Sequence, residues 1–305
     1  MAIIVKDAYF NSSTGSDKIH CVIWEDDEVE KIGVFQIAHG VAEHIMRYDD
    51  FARFLARHGY IVCGNDHLGH GLSVKSMDDL GYFAYKDGDV RLVDDMHILH
   101  NIMSKRYPQL PYFLFGHSMG SFCARVYAAD FGEELSGVIF CGTGELPSTA
   151  ILGEEPMKML ADRINPRIRV NALGIMGRLT AGKDGDANDW LSYNKENVER
   201  YNADPLCGFA LTLAGNRDMI SLMNTACNPE WASKVPAGLP ILLISGAKDP
   251  VGFNGKGVIN VCDNLELAGH SPEVILYPGM KHEILNEDEH EKVYNDILDW
   301  LGRIS

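Results

Sequence analysis

The sequence predicts an α/β fold, a mostly parallel sheet flanked by helices with a helical segment inserted into it. Three observations carry this. Short apolar runs alternate with amphipathic stretches through the first half of the chain, the alternation stops between about residues 147 and 234, and it then resumes to the end.

Taken in order, 7–12 and 19–25 alternate apolar with polar residues around Thr14-Gly15-Ser16, which predicts an antiparallel hairpin. Residues 33–39 read as a buried strand. Residues 49–58 read as a helix with Phe51, Phe54 and Leu55 on one face and Gly59 as its stop, and 60–66 as a strand. Residues 89–106 carry apolar side chains at helical spacing, 112–116 form a strand, 119–131 a helix and 137–142 a further strand. Between 147 and 234 the pattern is helical without a clear strand, with the best helices at 157–164, 172–179 and 209–223. The sheet continues with strand 241–245, helix 258–268, strand 273–277 and a last helix over 288–304. The expected organisation is a core of residues 1–146 and 235–305, with residues 147–234 as a helical cap. The cap would lie over the C-terminal strand ends, where open α/β sheets bind ligands.

Composition narrows the function. The 305 residues suffice for a large domain with an insertion, and 46% hydrophobic with 23% charged residues is a globular balance that argues against disorder. A formal net charge of −16 argues against a nucleic-acid partner, because the average surface repels a phosphate backbone. No segment approaches the roughly 20 apolar residues of a membrane span, and residues 1–10 lack the apolar stretch of a signal peptide. The seven cysteines show no CxxC spacing, and several lie in apolar runs such as 61–63 and 139–141. The expectation is a soluble, cytoplasmic protein with reduced thiols.

The chemistry is concentrated in Gly116-His117-Ser118-Met119-Gly120, which follows the apolar run Tyr112-Phe113-Leu114-Phe115 and precedes a helix. That context fits a nucleophile elbow, a sharp strand-to-helix turn that projects the serine hydroxyl above an α/β-hydrolase sheet. Such a serine needs an acid and a base, supplied in that fold in the order Ser, Asp, His. Asp249 follows strand 241–245 and His282 follows strand 273–277, each in a loop at a strand end. His282 would take the proton of Ser118, and Asp249 would hold the imidazole and stabilise the imidazolium. The oxyanion donors would be the backbone N–H of Met119, next to the nucleophile, and that of Val41 in the loop His39-Gly40-Val41-Ala42-Glu43-His44. The clustered His39, His44, His67, His70, Glu43 and Asp66 read as hydrogen-bond partners that shape loops. With no HExxH, no GxGxxG after the first parallel strand and no GxxxxGK[ST], neither a metal nor any other cofactor is expected.

Four motifs together resemble one group of α/β-hydrolases. They are His39-Gly40-x-x-Glu43-His44 with Arg47-Tyr48; Asp66-His67-x-Gly69-His70-Gly71-x-Ser73; the Ser118 elbow; and Gly279-x-x-His282-Glu283-x-Leu285-Asn286-Glu287. They look like the monoacylglycerol lipase and lysophospholipase group, whose members also carry a serine aminopeptidase domain name. The segment 202–209 is similar to its bacterial members. Ala42 stands where the group's motif has glycine. The resemblance implies that Ser118, Asp249 and His282 act as the triad, with Val41 and Met119 at the oxyanion.

The activity expected is hydrolysis of a carboxylic ester, a monoacylglycerol, a lysophospholipid or a smaller acyl ester, through an acyl-enzyme. Leu206 and Phe209 are the candidate acyl contacts, in a cap that also offers Leu173, Ile175, Met176, Leu211 and Leu213. Three alternatives stand beside it. Aminopeptidase-like hydrolysis would need an acidic pair for an ammonium, with Glu154, Glu155, Asp184 and Asp186 as candidates. Acyl transfer would use the same triad. A hydrolase-like binding scaffold would use none of it.

Overall fold

The computed structural model describes residues 3–145, 159–161, 163–171, 187–228 and 230–304. Strands β1 (Ile4–Asn11) and β2 (Lys18–Glu25) form the expected hairpin, and β2 pairs antiparallel with β4 (Tyr60–Asn65). The remaining neighbours are parallel: β3 (Gly33–Ala38), β5 (Tyr112–His117), β6 (Gly137–Cys141), β9 (Ile241–Gly246) and β10 (Glu273–Tyr277). The eight strands run in the order β1-β2-β4-β3-β5-β6-β9-β10. This is the mostly parallel sheet the sequence predicts.

Helices cover both faces, so the central strands are buried along their whole length and read as continuous apolar runs. On one face pack α2 (Gly88–Arg106) through Leu92, Met96 and Leu99, and α3 (Met119–Phe131) through Phe122 and Cys123. On the other pack α1 (Asp49–Arg57), through Phe51 and Leu55, and the C-terminal helix, through Val293, Ile297 and Trp300. A polar side chain inside β3, Gln36, is fully paired: its amide donates to the Met96 carbonyl at 3.0 Å and its Oε1 accepts from the Tyr112 hydroxyl at 2.5 Å.

Strands β6 and β9 are direct neighbours, so the chain between them leaves the sheet and re-enters it one strand further on. In that stretch the structure departs from the sequence reading. A two-residue ladder joins β7 (Arg169–Val170) to β8 (Leu211–Thr212), where no strand was expected. Helix α4 (Lys195–Ala203) was not anticipated, because it buries only Asn197, Val198 and Tyr201 and so lacks an apolar stripe. Helix α5 (Leu213–Ala226) begins four residues later than the expected 209, because Thr212 caps it by accepting from the Gly215 N–H at 3.0 Å. The expected helix at 172–179 and part of that at 157–164 lie outside the described residues. Beyond β9 come α6 (Lys256–Leu267) and the C-terminal helix, α7 (His290–Ile304), which begins two residues after the expected start.

Among the described residues no helix is long and apolar enough to cross a membrane. All seven cysteines are free, and all but Cys227 are buried.

Candidate active site

Ser118 sits between β5 and α3 with φ 54° and ψ −119°, a conformation that costs an L-residue energy and is held here by its surroundings. Two glycines make the turn feasible. A Cβ on Gly116 would lie 2.1 Å from the Gly120 carbonyl oxygen, and one on Gly120 would lie 2.1 Å from that of Ala38. The Ser118 N–H donates to the Cys141 carbonyl on β6 at 3.0 Å, and its own carbonyl accepts from the Ser121 hydroxyl at 2.6 Å.

Asp249 and His282 come together because β9 and β10 end side by side. A Cβ on Gly246, the last residue of β9, would meet the Lys281 carbonyl oxygen at 2.0 Å, so only glycine lets the two loops touch. Asp249, fully buried, accepts from the Val251 N–H at 2.8 Å and the Ser245 hydroxyl at 3.1 Å. Its Oδ2 lies 2.9 Å from His282 Nδ1, which leaves His282 Nε2 buried and without a hydrogen-bond partner. Ser118 and His282 line one cavity, of about 130 Å³, together with Gly40, Val41, Trp190, Tyr201 and Phe209.

The loop after β3 forms another part of this wall. Ala42 has φ 55°, which explains why a glycine suits this position, and its N–H donates to His70 Nε2 at 3.1 Å. His70 is thereby fixed as the neutral imidazole with its Nδ1–H directed to the Leu68 carbonyl at 2.9 Å. Burial first, then the neighbouring His39, pushes its pKa down to about 3. His39 bridges Gly40 and His67 in the same way, while Asp66 accepts from the Ile45 and Leu72 N–H groups, both at 2.8 Å. The loop-shaping roles expected for His39, His70 and Asp66 match these contacts, whereas the His67 ring nitrogens are buried without a hydrogen-bond partner and only its backbone N–H is engaged, at 3.0 Å from His39 Nε2.

A buried charge network joins Arg47 and Glu283, which had no role in the sequence reading, to Glu43, which had only a loop-shaping one, although all three stand in the quoted motifs. Arg47 spans Glu43 at 2.8 Å and both oxygens of Glu283, the residue after His282, at 2.5 and 2.7 Å. It also donates to Asn197 of α4 at 3.0 Å, and Asn197 in turn donates to Glu283 at 2.6 Å. Burial opposes the charge on both carboxylates. His117 and Arg47 nonetheless hold Glu43 well below the usual range, and Arg47 does the same more mildly for Glu283. His117 faces Glu43 at 3.3 Å through Nδ1 and the His282 carbonyl at 3.2 Å through Nε2. Burial works against its protonation, yet Glu43 raises its pKa. The signal in the sequence was the pairing of Glu43-x-x-x-Arg47 with Glu283, but only the fold brings them together.

Of the two candidate acyl contacts, Phe209 lines the cavity and Leu206 does not. Phe209 packs against His70 with ring centroids 5.2 Å apart, and the Gly208 N–H donates to the Ala42 carbonyl at 2.9 Å. Trp190 covers His282 with ring centroids 5.0 Å apart. Leu211 and Leu213 are buried and do not line the cavity, while Leu173, Ile175 and Met176 and the acids Glu154, Glu155, Asp184 and Asp186 lie outside the described residues.

Residues 30–289 match the hydrolase family described as serine aminopeptidase, S33. The chain belongs to this family. Relatives within reach of it include the monoacylglycerol lipase of Mycolicibacterium smegmatis, 30% identical over 95% of each chain. The monoglyceride lipase of Rattus norvegicus is also 30% identical, over 93% of this chain and 86% of its own. Among solved structures, the thermostable carboxyl esterase from Bacillus coagulans in complex with glycerol superposes with a TM-score of 0.88, at 31% identity and 99% coverage of both chains. The chain is thus an ester-hydrolysing enzyme of the α/β-hydrolase fold.

Proposed function

We propose that the enzyme hydrolyses monoacylglycerol or lysophospholipid-like esters through an acyl-enzyme on Ser118. The observation that carries this reading is His282: Nδ1 is held by a buried carboxylate, and Nε2 is unpartnered in a residue that shares its cavity with Ser118. In the forward step His282 Nε2 takes the Ser118 proton as Oγ attacks the ester carbonyl carbon, and Asp249 stabilises the imidazolium. The oxyanion is received by the N–H groups of Val41 and Met119, each contributing about 2.7–4 kcal/mol to lowering the barrier. His282 then gives its proton to the departing alcohol, and water repeats the sequence on the acyl-enzyme.

Residues 147–234 act as the cap over this cavity, inserted in a core of 1–146 and 235–305, with Phe209 at the acyl chain. The cavity's described carboxylates, Glu43 and Glu283, are both engaged by Arg47, which speaks against a free-amine site of the aminopeptidase kind. No nucleic acid and no metal enters the reaction.

The test compares a long-chain monoacylglycerol, a lysophospholipid, a p-nitrophenyl short-chain ester and an aminoacyl anilide on the purified protein, alongside a fluorophosphonate label located by peptide mapping. Label at Ser118 and ester turnover at least about 100-fold above anilide turnover are expected. Label elsewhere, or anilide preference, overturns the reading.

A further inference from the structure

We propose that His44, Asp204 and Cys207 bind a thiophilic divalent cation of the Zn²⁺ class, and that its binding slows turnover by displacing the loop that carries Val41 relative to the 204–209 wall of the active-site cavity. One ligand atom from each residue, an imidazole nitrogen, a carboxylate oxygen and the thiol sulfur, lies within 4.8 Å of the other two. An N, O, S donor set suits Zn²⁺ rather than the hard ions Mg²⁺ or Ca²⁺, and three protein ligands leave a fourth position for water.

The three residues sit on two different elements. His44 ends the loop that carries Val41, whereas Asp204 and Cys207 follow α4 and lead into Gly208 and Phe209 at the cavity. Two ligands already face each other, with His44 Nε2 2.8 Å from Asp204 Oδ2. The other carboxylate oxygen accepts from the Leu206 N–H at 2.8 Å, an outer contact that fixes the carboxylate's direction. His44 is half-buried, Cys207 is buried and Asp204 keeps a path to solvent. A bound dication takes Cys207 as its thiolate, displacing the thiol proton.

The consequence for rate follows from bond lengths. Tetrahedral Zn²⁺ with bonds of about 2.0–2.3 Å holds its ligand atoms roughly 3.3–3.8 Å apart, so the His44–Asp204 pair, now 2.8 Å apart, must spread to admit the ion, and the loop shifts relative to the 204–209 segment. A displacement of about 1 Å at the Val41 N–H is enough to cost on the order of 100-fold in turnover. The rate effect rests on the proposed role of the Val41 loop, but the binding does not.

The test uses the intact, EDTA-treated and desalted protein, titrated with Co²⁺ and followed by absorption, with ester turnover measured in parallel under Zn²⁺. One equivalent of Co²⁺ should produce a thiolate-to-cobalt charge-transfer band and tetrahedral d–d bands that Zn²⁺ bleaches. Zn²⁺ should slow turnover by about tenfold or more, reversibly with EDTA. Cys207→Ser, with circular dichroism unchanged, should lose the charge-transfer band, and Asp204→Asn should weaken Co²⁺ binding by about tenfold. No band in the wild type, or a band that persists in Cys207→Ser, overturns the site. Zn²⁺ inhibition that survives in Cys207→Ser places the inhibiting ion elsewhere and overturns the rate effect, as does stoichiometric binding with unchanged turnover. The absorption readout stands even for a protein that turns over none of the esters, so failure here and failure of the esterase reading are separable.

Discussion

The floor and the wall of the cavity are held by different forces. Ser118, Asp249 and His282 are positioned by backbone: a strained turn between two glycines without room for a Cβ, and two strand ends in contact through Gly246. The facing segment, 187–209, is tied to the core by two backbone bonds, Gly208 N–H to Ala42 and Glu283 N–H to Leu191, and otherwise by side chains. Arg47 reaches Asn197, Glu287 accepts from the Ser192 hydroxyl at 2.7 Å and the Lys281 N–H at 2.8 Å, and Glu283 accepts from Asn197. Backbone constraint depends little on pH or salt, whereas a charge network depends on both. Changes to the floor should therefore remove the reaction, and changes to the wall should tune it.

The largest expected effect lies on the floor. Ser118→Ala should lower kcat for a p-nitrophenyl short-chain ester by about 10⁴-fold or more, with the thermal midpoint unchanged or raised. Steady-state kinetics on protein freed of wild type checks this, and a kcat within tenfold of wild type would reassign the nucleophile.

The same contrast explains what the sequence disclosed. The elbow was legible because its constraint is local: glycines two residues either side of Ser118, an apolar strand before it and a helix after it. The strand–helix order was legible because burial on both faces of a parallel sheet leaves unbroken apolar runs such as Ile241–Gly246. The wall was not legible. Helix α4 is polar along most of its length and, beyond its local Asn194 cap, is held by Arg47, which reaches Asn197 from 150 positions away. The ladder between Arg169–Val170 and Leu211–Thr212 is two residues long and carries no periodicity at all. Leu206 looked as suitable as Phe209 because hydrophobicity does not encode direction.

A middle-sized effect is expected where floor and wall meet. Glu283→Gln keeps the shape but removes the charge from a bidentate partner of Arg47, beside His282. Loss of one partner of a buried pair costs several kcal/mol when nothing compensates. Glu43 remains as a second partner, so a destabilisation of about 2 kcal/mol is expected, with a fall of about tenfold in kcat as the His282 loop loosens. The pH dependence has a definite sign. Despite burial, Arg47 holds the Glu283 carboxyl below its ordinary value of 4.5, so its stabilisation is fully present above that pH and is lost as pH falls through the lower folded-state value. Chemical denaturation of both proteins should give the full difference at pH 7 and a shrinking one below about 4.5. A difference that grows on acidification would contradict the assignment of charge.

The smallest effect belongs to the wall itself. Phe209 lines the cavity with Ser118 and packs on His70, while Gly208 beside it ties the segment to the Ala42 carbonyl. If the ring covers the acyl chain, Phe209→Ala uncovers methylenes, each worth about 0.8 kcal/mol when buried. A C2 ester has too few to lose, so its kcat/KM should stay within about twofold of wild type, whereas a C12 ester should lose about tenfold. A C8 ester should fall between them. Phe209 also shields His70, whose neutral imidazole accepts from the Ala42 N–H, so a purely structural role would loosen the 39–44 loop and slow every substrate alike. The slope of log kcat/KM against chain length separates the two. A reduced slope places Phe209 at the acyl chain, and an unchanged slope with a uniform drop assigns it to support of the loop.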